Sequence, residues 1–292
     1  MTAKALLVPR RSLLYMPGAN PRAMEKAQSL DCDTIIFDLE DAVAASAKSE
    51  ARSQVRAALT HNAYSHRELV VRCNGLDTPW GLDDLRCFAD ASIGALLFPK
   101  IESAAQIAEI KDAMASHGSS LPLWIMIETP TAVLDLQHFA ADPQVTALVM
   151  GTSELVKELR AQHTSSRDNL AYALQHCVLV ARHLGKEIFD GVHLDFRNLN
   201  SLREACEVGR AMGFDGKTLI HPDQVPVAND VFGYSDDEVA KAQALLSAWH
   251  NAVRQGKGVA ELDGQLIENL HAEEAERVVT FAQALGRRAM AK

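Results

Sequence analysis

Two acidic residues follow two successive apolar stretches in the middle of the chain, and together they are candidate metal ligands. Glu128 comes directly after the apolar stretch Leu123 to Ile127. Glu154 comes shortly after a second apolar stretch, Val145 to Met150, which ends at Gly151. Short apolar stretches bounded by turn residues are typical of strands buried on both faces. Carboxylates that follow two neighbouring buried strands can share one hard metal ion.

Charged residues also follow other apolar stretches, in the same position relative to each stretch. These residues are Asp38, Glu40, Arg72, Lys100 and Asp190. Taken singly, each of them is more readily a solvated loop charge, and the alternative for Arg72 is a salt bridge with Glu40 or Asp38. Taken together, they predict a cavity mouth lined by acids with one or two cations, because parallel strands bring their carboxyl ends to one side.

The elements that would position these charges alternate regularly along the chain. Eight apolar stretches, each followed by a helix or a turn, are candidate strands: Ser12 to Met16, Thr34 to Phe37, Leu69 to Val71, Ile93 to Phe98, Leu123 to Ile127, Val145 to Met150, Glu187 to Phe189 and Phe214 to Ile220. Strands that alternate with helices predict a parallel sheet. Eight of them predict an α/β fold with a closed (β/α)8 TIM barrel. A doubly wound open sheet is the alternative, but no G-x-G-x-x-G motif follows the first strand.

The alternation stops near residue 233, which predicts a barrel domain over residues 1–233 and a C-terminal helical extension over residues 234–292. In the extension, a helix is expected from Ser235 to about Gln255, a turn-like stretch from Val259 to Asn269, and a last helix from about Ala272. Three apolar residues of the turn-like stretch are expected to pack on another surface: Leu262, Leu266 and Ile267.

Composition and charge limit the classes of function. Of the 292 residues, 48% are hydrophobic and 23% are charged, and the net charge is −9. Such a chain lacks the basic face that nucleic-acid binding needs. It also lacks an apolar run long enough for a membrane span. We therefore expect a cytoplasmic protein that binds neither nucleic acid nor membrane. The five cysteines form no C-x-x-C pair and are expected to be reduced.

Seven short motifs resemble those of the citrate lyase beta subunit family, the CitE-like branch of the HpcH/HpaI aldolase superfamily. In chain order they are RRSLLYMPGAN from Arg10, DTIIFDLEDAV from Asp33, VVRCN from Val70, FPK from Phe98, IETP from Ile127, GTSEL from Gly151 and GFDGKTLIHPDQV from Gly213. They span the chain from the first predicted strand to the last, and they occur in the order of the family. The joint match is specific, although IETP alone would be weak.

The resemblance implies a Mg2+-dependent (β/α)8 barrel and a role for individual residues. Glu128 and Glu154 match the metal ligands, Arg72 matches the arginine that holds the substrate carboxylate during catalysis, and Glu268 matches the general acid/base. Glu40, Asp41 and Lys100 are assigned to the surroundings of the metal. Gly151, Thr152 and Ser153 stand at a predicted helix N-terminus, where backbone N–H groups can hold an anion. At positions 154 and 268 the family more often has Asp.

The resemblance also implies an activity and partners. The expected reaction is cleavage of a carbon–carbon bond in a CoA thioester, with citramalyl-CoA, which gives acetyl-CoA and pyruvate, as the preferred substrate. The alternatives are a malyl-CoA lyase, the citryl-cleaving subunit of citrate lyase, and a thioesterase or a binding module. The expected partners are a CoA thioester, a 2-oxo acid and two further copies of the chain. In that homotrimer the extension would pack on a neighbouring subunit and deliver Glu268 to its site.

Overall fold

Eight parallel strands close into a barrel, which confirms the predicted fold class. The computed structural model describes residues 7–60 and 63–290. The strands pair in chain order, and the eighth pairs with the first. Their bounds are β1 Ser12–Pro17, β2 Thr34–Asp38, β3 Glu68–Arg72, β4 Ala95–Phe98, β5 Leu123–Ile127, β6 Val145–Met150, β7 Glu187–Asp190 and β8 Gly216–Leu219. Every predicted strand is therefore present, with ends that differ by at most a few residues.

Along the chain, each barrel strand is followed by one or two α-helices within residues 10–232. Their bounds are α1 Pro21–Ala27, α2 Lys48–Thr60, α3 Gly81–Phe88, α4 Ala104–Ser116, α5 Pro130–Phe139, α6 Thr152–Glu158, α7 Ala171–His183, α8 Leu199–Met212 and α9 Val225–Val231. Side-chain caps explain where several of them begin, since the Ser103 and Thr129 hydroxyls accept a backbone N–H of α4 and α5. The Asn20 side chain caps α1, and Pro21 occupies its first position.

Alternation along each strand divides the core into an inner and an outer part. One cluster fills the barrel and includes Leu13, Ile36, Val70, Trp124 and Phe189. The neighbouring residues on each strand point outward and pack beneath the helices, in a larger cluster. Because successive side chains of a strand face opposite sides, the inner cluster fixes which residue at each strand end points into the barrel mouth.

The described residues divide into two compact units, residues 10–232 and the remainder. The second unit contains two long helices, α10 Asp236–Arg254 and α11 Asn269–Met290, joined by two short strands, β9 Ala260–Leu262 and β10 Gln265–Ile267. A capping box at Ser235 begins α10, as expected from the sequence. The two helices share a small apolar cluster around Ala242, Ala275 and Val278.

The turn-like stretch of the extension is wrongly predicted in two respects. It forms an antiparallel hairpin whose turn contains Asp263 and Gly264, both with positive φ, and the last helix begins at Asn269 rather than near Ala272. In addition, Ile267 is buried and Leu262 is partly buried against Ala252 and Ala260 of their own unit. Pairing of the two strands turns these side chains toward α10 and leaves Leu266 61% exposed.

Among the described residues, no helix combines the length and the apolar character that crossing a membrane requires.

Candidate active site

A cavity of about 370 Å³ opens at the carboxyl ends of the barrel strands. Its walls come from the strand ends and from the loops that follow them. The lining residues are Tyr15, Pro17, Asp38, Asp41, Ala42, Arg72, Met126, Met150, Gly151, Thr152, Ser153, Glu154, Val192, Leu194, Thr218 and Ile220. The predicted site residues Arg72, Asp41, Glu154 and Gly151 to Ser153 thus share one cavity.

Glu128 lies at the end of β5, two residues beyond the inward-facing Met126, and is only 2% exposed. Its Oε1 atom accepts the backbone N–H of Lys100 at 2.7 Å, which fixes the orientation of the carboxylate. Lys100 adopts a positive φ of 54°, an uncommon conformation for a residue other than glycine. Burial, together with the negative charge of Glu154, raises the pKa of Glu128 to about 7. The carboxylate is therefore poorly neutralised by the protein itself.

Gly151 brings Glu128 and Glu154 to the same place. An ideal Cβ atom at Gly151 would lie 2.6 Å from Oε2 of Glu128 and 3.3 Å from Oε2 of Glu154. One oxygen of each carboxylate therefore flanks this glycine, although Glu154 belongs to α6 and Glu128 follows β5. The absence of a side chain at Gly151 leaves the space in which the two carboxylates meet.

This pair of carboxylates fits a hard divalent cation. Mg2+ takes oxygen ligands and is commonly held by one or two protein carboxylates, with the remaining positions open to water or substrate. Within residues 7–60 and 63–290, no group of three or more His, Cys, Asp or Glu side chains has the arrangement of a metal site. The donor set therefore suits Mg2+ with an open coordination shell, and it lacks the extra ligands of a closed structural site.

Arg72 ends β3 and points into the mouth, two residues beyond the inward-facing Val70. Its Nε and Nη2 atoms donate to the two carboxylate oxygens of Asp38, at 2.7 and 2.6 Å. Its Nη1 atom lies 3.1 Å from Oε2 of Glu40 and 3.5 Å from Oδ2 of Asp41. The salt bridge considered for Arg72 is thus present with both Asp38 and Glu40, while the side chain still lines the cavity. One edge of the guanidinium is taken by Asp38, so a ligand has access only through Nη1 and the second hydrogen of Nη2.

The acidic loop, residues 38–42, is stabilised by hydrogen bonds to Asp38 and by an ion pair between Glu40 and Lys100. Asp38 accepts the backbone N–H groups of Glu40 and Ala42, and although burial alone would raise its pKa, these bonds and Arg72 hold that pKa below its usual value. Burial raises the pKa of Glu40. The ammonium group of Lys100 lies 3.5 Å from Oε1 of Glu40, and its side chain is otherwise exposed.

A buried lysine supports this loop from beneath. The Nζ atom of Lys48 donates to the carbonyl oxygens of Leu39 and Glu40 and to Oδ1 of Asn74, each at 2.8 Å. Asn74 in turn donates to the carboxylate of Asp84. Sequence reasoning assigned no role to Lys48 or Asn74, because nothing local marks Lys48 as different from an exposed helical lysine.

Asp190 does not lie at the mouth of the barrel. It is fully buried and its carboxylate accepts hydrogen bonds from Arg167, from Lys217 and from the backbone of Gly191. The preceding residue, Phe189, points into the barrel, so Asp190 points outward. The expectation that it lines the site is therefore wrong, and its place at a strand end could not reveal this.

Gly151, Thr152 and Ser153 form the start of α6, as predicted, and all three line the cavity. Thr152 is buried against Gly191, where its side chain occupies the space of a missing Cβ. Glu268 lies in the second unit, exposed, just before α11, and its backbone N–H donates to Nδ1 of His271. Its catalytic role stays a prediction.

Comparisons with known proteins identify the family of this chain. The family described as HpcH/HpaI aldolase/citrate lyase matches residues 11–222. A (3S)-malyl-CoA thioesterase of Cereibacter sphaeroides is 46% identical over 277 residues, which cover 95% of this chain and 96% of that protein. A citrate lyase subunit beta of Haemophilus influenzae is 31% identical over 283 residues, which cover 94% and 97%.

A solved structure with the same architecture contains a metal and ligands. It is the crystal structure of protein CitE from Mycobacterium tuberculosis in complex with magnesium, acetoacetate and coenzyme A. It superimposes with a TM-score of 0.74 at 27% sequence identity, over 94% of this chain and 97% of that chain. The matched family, the full-length relatives and this structure carry one conclusion: the chain belongs to the HpcH/HpaI aldolase/citrate lyase family.

Proposed function

We propose that this chain is a Mg2+-dependent carbon–carbon lyase that cleaves a 3-hydroxy-3-carboxyacyl-CoA, such as citramalyl-CoA, to acetyl-CoA and a 2-oxo acid. The observation that carries the proposal is the pair of carboxylates, Glu128 and Glu154, which flank Gly151. Gly151, Glu154 and Arg72 line the same cavity, and the buried Glu128 lies directly behind Gly151. The CitE structure, which is a complex with magnesium, acetoacetate and coenzyme A, supports the proposal by analogy.

Each group in the cavity has a task in this reaction. Mg2+ held by Glu128 and Glu154 would supply Lewis-acid stabilisation of negative charge on a substrate oxygen. Arg72, locked in place by Asp38, presents Nη1 to the substrate carboxylate. The N-terminus of α6 adds backbone N–H groups beside the same cavity. Lys100 orients Glu128 through its backbone, and Glu40 and Asp41 surround the guanidinium.

Cleavage also needs proton transfer. The substrate hydroxyl passes its proton to solvent, the bond between C2 and C3 breaks to leave the 2-oxo acid, and the enolate of acetyl-CoA that results must gain a proton at carbon. We assign the donation of that proton to Glu268 of the partner subunit in a homotrimer, because Glu268 matches the general acid/base of the family and is exposed. The catalytic domain, residues 1–233, and the extension, residues 234–292, would then contribute to one shared site.

A second candidate activity is thioester hydrolysis of malyl-CoA. It is favoured by one observation, the 46% identity to proteins named (3S)-malyl-CoA thioesterase. Malyl-CoA is also the alternative substrate for carbon–carbon cleavage, which would give acetyl-CoA and glyoxylate. The citryl-cleaving subunit of citrate lyase is supported by lower identity, 31%.

One assay separates these activities. Purified protein is incubated with Mg2+ and, in parallel, with citramalyl-, malyl- and citryl-CoA, and the 2-oxo acid, acetyl-CoA and free CoA are measured. A lyase releases equal amounts of 2-oxo acid and acetyl-CoA. A thioesterase releases free CoA without any 2-oxo acid. Free CoA alone, from every substrate, would refute the lyase proposal.

Subunit exchange tests the shared site. The variants Glu128→Ala and Glu268→Ala should each be inactive, and a mixture that has exchanged subunits should regain activity, since some sites then contain both carboxylates. If mass measurement confirms mixed oligomers and activity stays absent, Glu268 does not act across subunits. A mixture of Glu128→Ala with Glu154→Ala is the matched control, because both residues belong to the same barrel and no mixed site is complete.

A further inference from the structure

Tyr15 is a polar residue of the cavity that the proposed chemistry does not yet use. It lies on β1 two residues after the inward-facing Leu13, and it lines the cavity. Its ring lies 4.8 Å from the Arg72 guanidinium, a cation–π contact that holds both side chains in place. In the part of the chain that the structure describes, its hydroxyl reaches one hydrogen-bond partner, the sulfur of Met126 at 3.9 Å.

The same sulfur is also contacted by Arg72. The Nη1 atom of Arg72 lies 3.6 Å from Sδ of Met126. Two strong donors, a phenol and a guanidinium, therefore converge on a thioether, which is a weak acceptor. The Nη1 atom has further partners in Glu40 and Asp41, whereas the Tyr15 hydroxyl has the sulfur. The cavity thus contains a hydroxyl whose capacity to donate is poorly used.

Tyr15 is a donor at any physiological pH. Burial raises the pKa of its hydroxyl, and the nearby carboxylates of Asp38, Glu128 and Glu154 act in the same direction, against Arg72. A neutral hydroxyl adds a hydrogen bond beside these acids without adding charge. An acceptor that suits both Tyr15 and Arg72 must be stronger than a thioether and negatively charged, as a carboxylate is.

We propose that Tyr15 and Arg72 together bind the carboxylate of the substrate, with the Tyr15 O–H donating to one carboxylate oxygen and Arg72 Nη1 donating to the other. This inference rests on the proposed function, because it requires that the cavity accept a carboxylate. The proposal adds a substrate-binding residue on β1, which donates a hydrogen bond to the substrate, whereas Glu128 and Glu154 hold the metal. Both donors would exchange the sulfur of Met126 for carboxylate oxygens, which are stronger acceptors.

The test uses Tyr15→Phe, which removes one oxygen atom and keeps the ring against Arg72. Binding of pyruvate and of glyoxylate in the presence of Mg2+ is measured by titration calorimetry, and KM and kcat are measured with the thioester that the wild type cleaves. Because a hydrogen bond to a charged group contributes about 1.5–3 kcal/mol, we expect roughly 10- to 100-fold weaker binding of the 2-oxo acid. The control is Tyr172→Phe on α7, where the side chain is 69% exposed and the same oxygen is removed.

Pyruvamide separates substrate binding from a structural role. It carries a neutral amide in place of the carboxylate, so the wild type should prefer pyruvate strongly, and this preference should shrink in Tyr15→Phe. The rise in melting temperature that Mg2+ causes should be the same in Tyr15→Phe as in the wild type, because Tyr15 is not a metal ligand. If the variant binds pyruvate as the wild type does, the role of Tyr15 is refuted while the lyase proposal stands. If the wild type binds no 2-oxo acid and cleaves no thioester, the proposed function fails, and the assignment of Tyr15 fails with it.

Discussion

Replacement of Gly151 by alanine should disable the site while leaving the barrel folded. An ideal Cβ at this position would lie 2.5 Å from Cβ of Glu128 and 2.6 Å from its Oε2 atom. Ordinary contacts between carbon atoms are about 3.5–4.0 Å, so the Glu128 side chain must move by roughly 1 Å. The backbone itself tolerates alanine, since φ at Gly151 is −95°. The change therefore acts on the carboxylate pair and not on the chain conformation.

The expected losses follow from that displacement. A misplacement of about 1 Å in an active site can cost roughly 100-fold in rate, so we expect kcat/KM to fall by about that factor. Mg2+ at 100 times its Kd should stabilise the wild type by about 2.7 kcal/mol. For a chain of this size that is a rise in Tm of roughly 5 °C. We expect Gly151→Ala to lose most of this rise.

The assay compares melting curves with EDTA and with Mg2+, alongside kcat/KM. Gly286→Ala is the control, because a Cβ at this helical glycine would meet nothing within 4 Å. Overpacking alone typically costs about 1–3 kcal/mol, so a modest drop in Tm in EDTA is consistent with the argument. A Gly151→Ala variant with wild-type activity and an undiminished response to Mg2+ would refute the reasoning that the two carboxylates meet at this glycine.

Three further predictions concern the metal ligands, the arginine and the buried lysine. We expect activity to be abolished by excess EDTA and by each of the variants Glu128→Ala and Glu154→Ala. The far-ultraviolet circular dichroism spectrum should stay that of the folded wild type. Activity that persists in EDTA would exclude a metal-dependent reaction. Arg72→Lys should lower kcat/KM about 10- to 100-fold, since one ammonium cannot both pair with Asp38 and reach a substrate carboxylate; an unchanged value would remove Arg72 from the site. Lys48→Met should lower the free energy of unfolding by at least about 2 kcal/mol, because three buried acceptors lose their donor. In denaturant titrations, a stability equal to that of the wild type would contradict this.

The sequence by itself was enough to predict the barrel and the place of its strands. Eight short apolar stretches at regular spacing are a local signal, because a strand buried on both faces has to be apolar throughout. The same signal placed Glu128 directly after one strand and Glu154 shortly after the next, since an unpaired charge is costly inside a strand that is buried on both faces. The helix start at Ser235 was also readable, because capping depends only on residues a few positions apart.

Only the tertiary structure decided which of the strand-exit charges face one another. Arg72 and Asp38 pair because both occupy inward positions on adjacent strands, whereas Asp190 stands one position out of phase and is buried elsewhere. The partners of Lys48 and the hydroxyl of Tyr15 were likewise invisible in the sequence, because their environment comes from distant segments.

The extension shows the same limit at the level of secondary structure. Its turn-like stretch contains Asp263 and Gly264, which allow a hairpin, but the pairing itself depends on α10, against which Ile267 is buried. Local spacing therefore determined which residues end each strand, while their orientation and their partners depended on the phase of each strand within the closed sheet. That phase is a property of the whole barrel, because one face of every strand must fill the same interior.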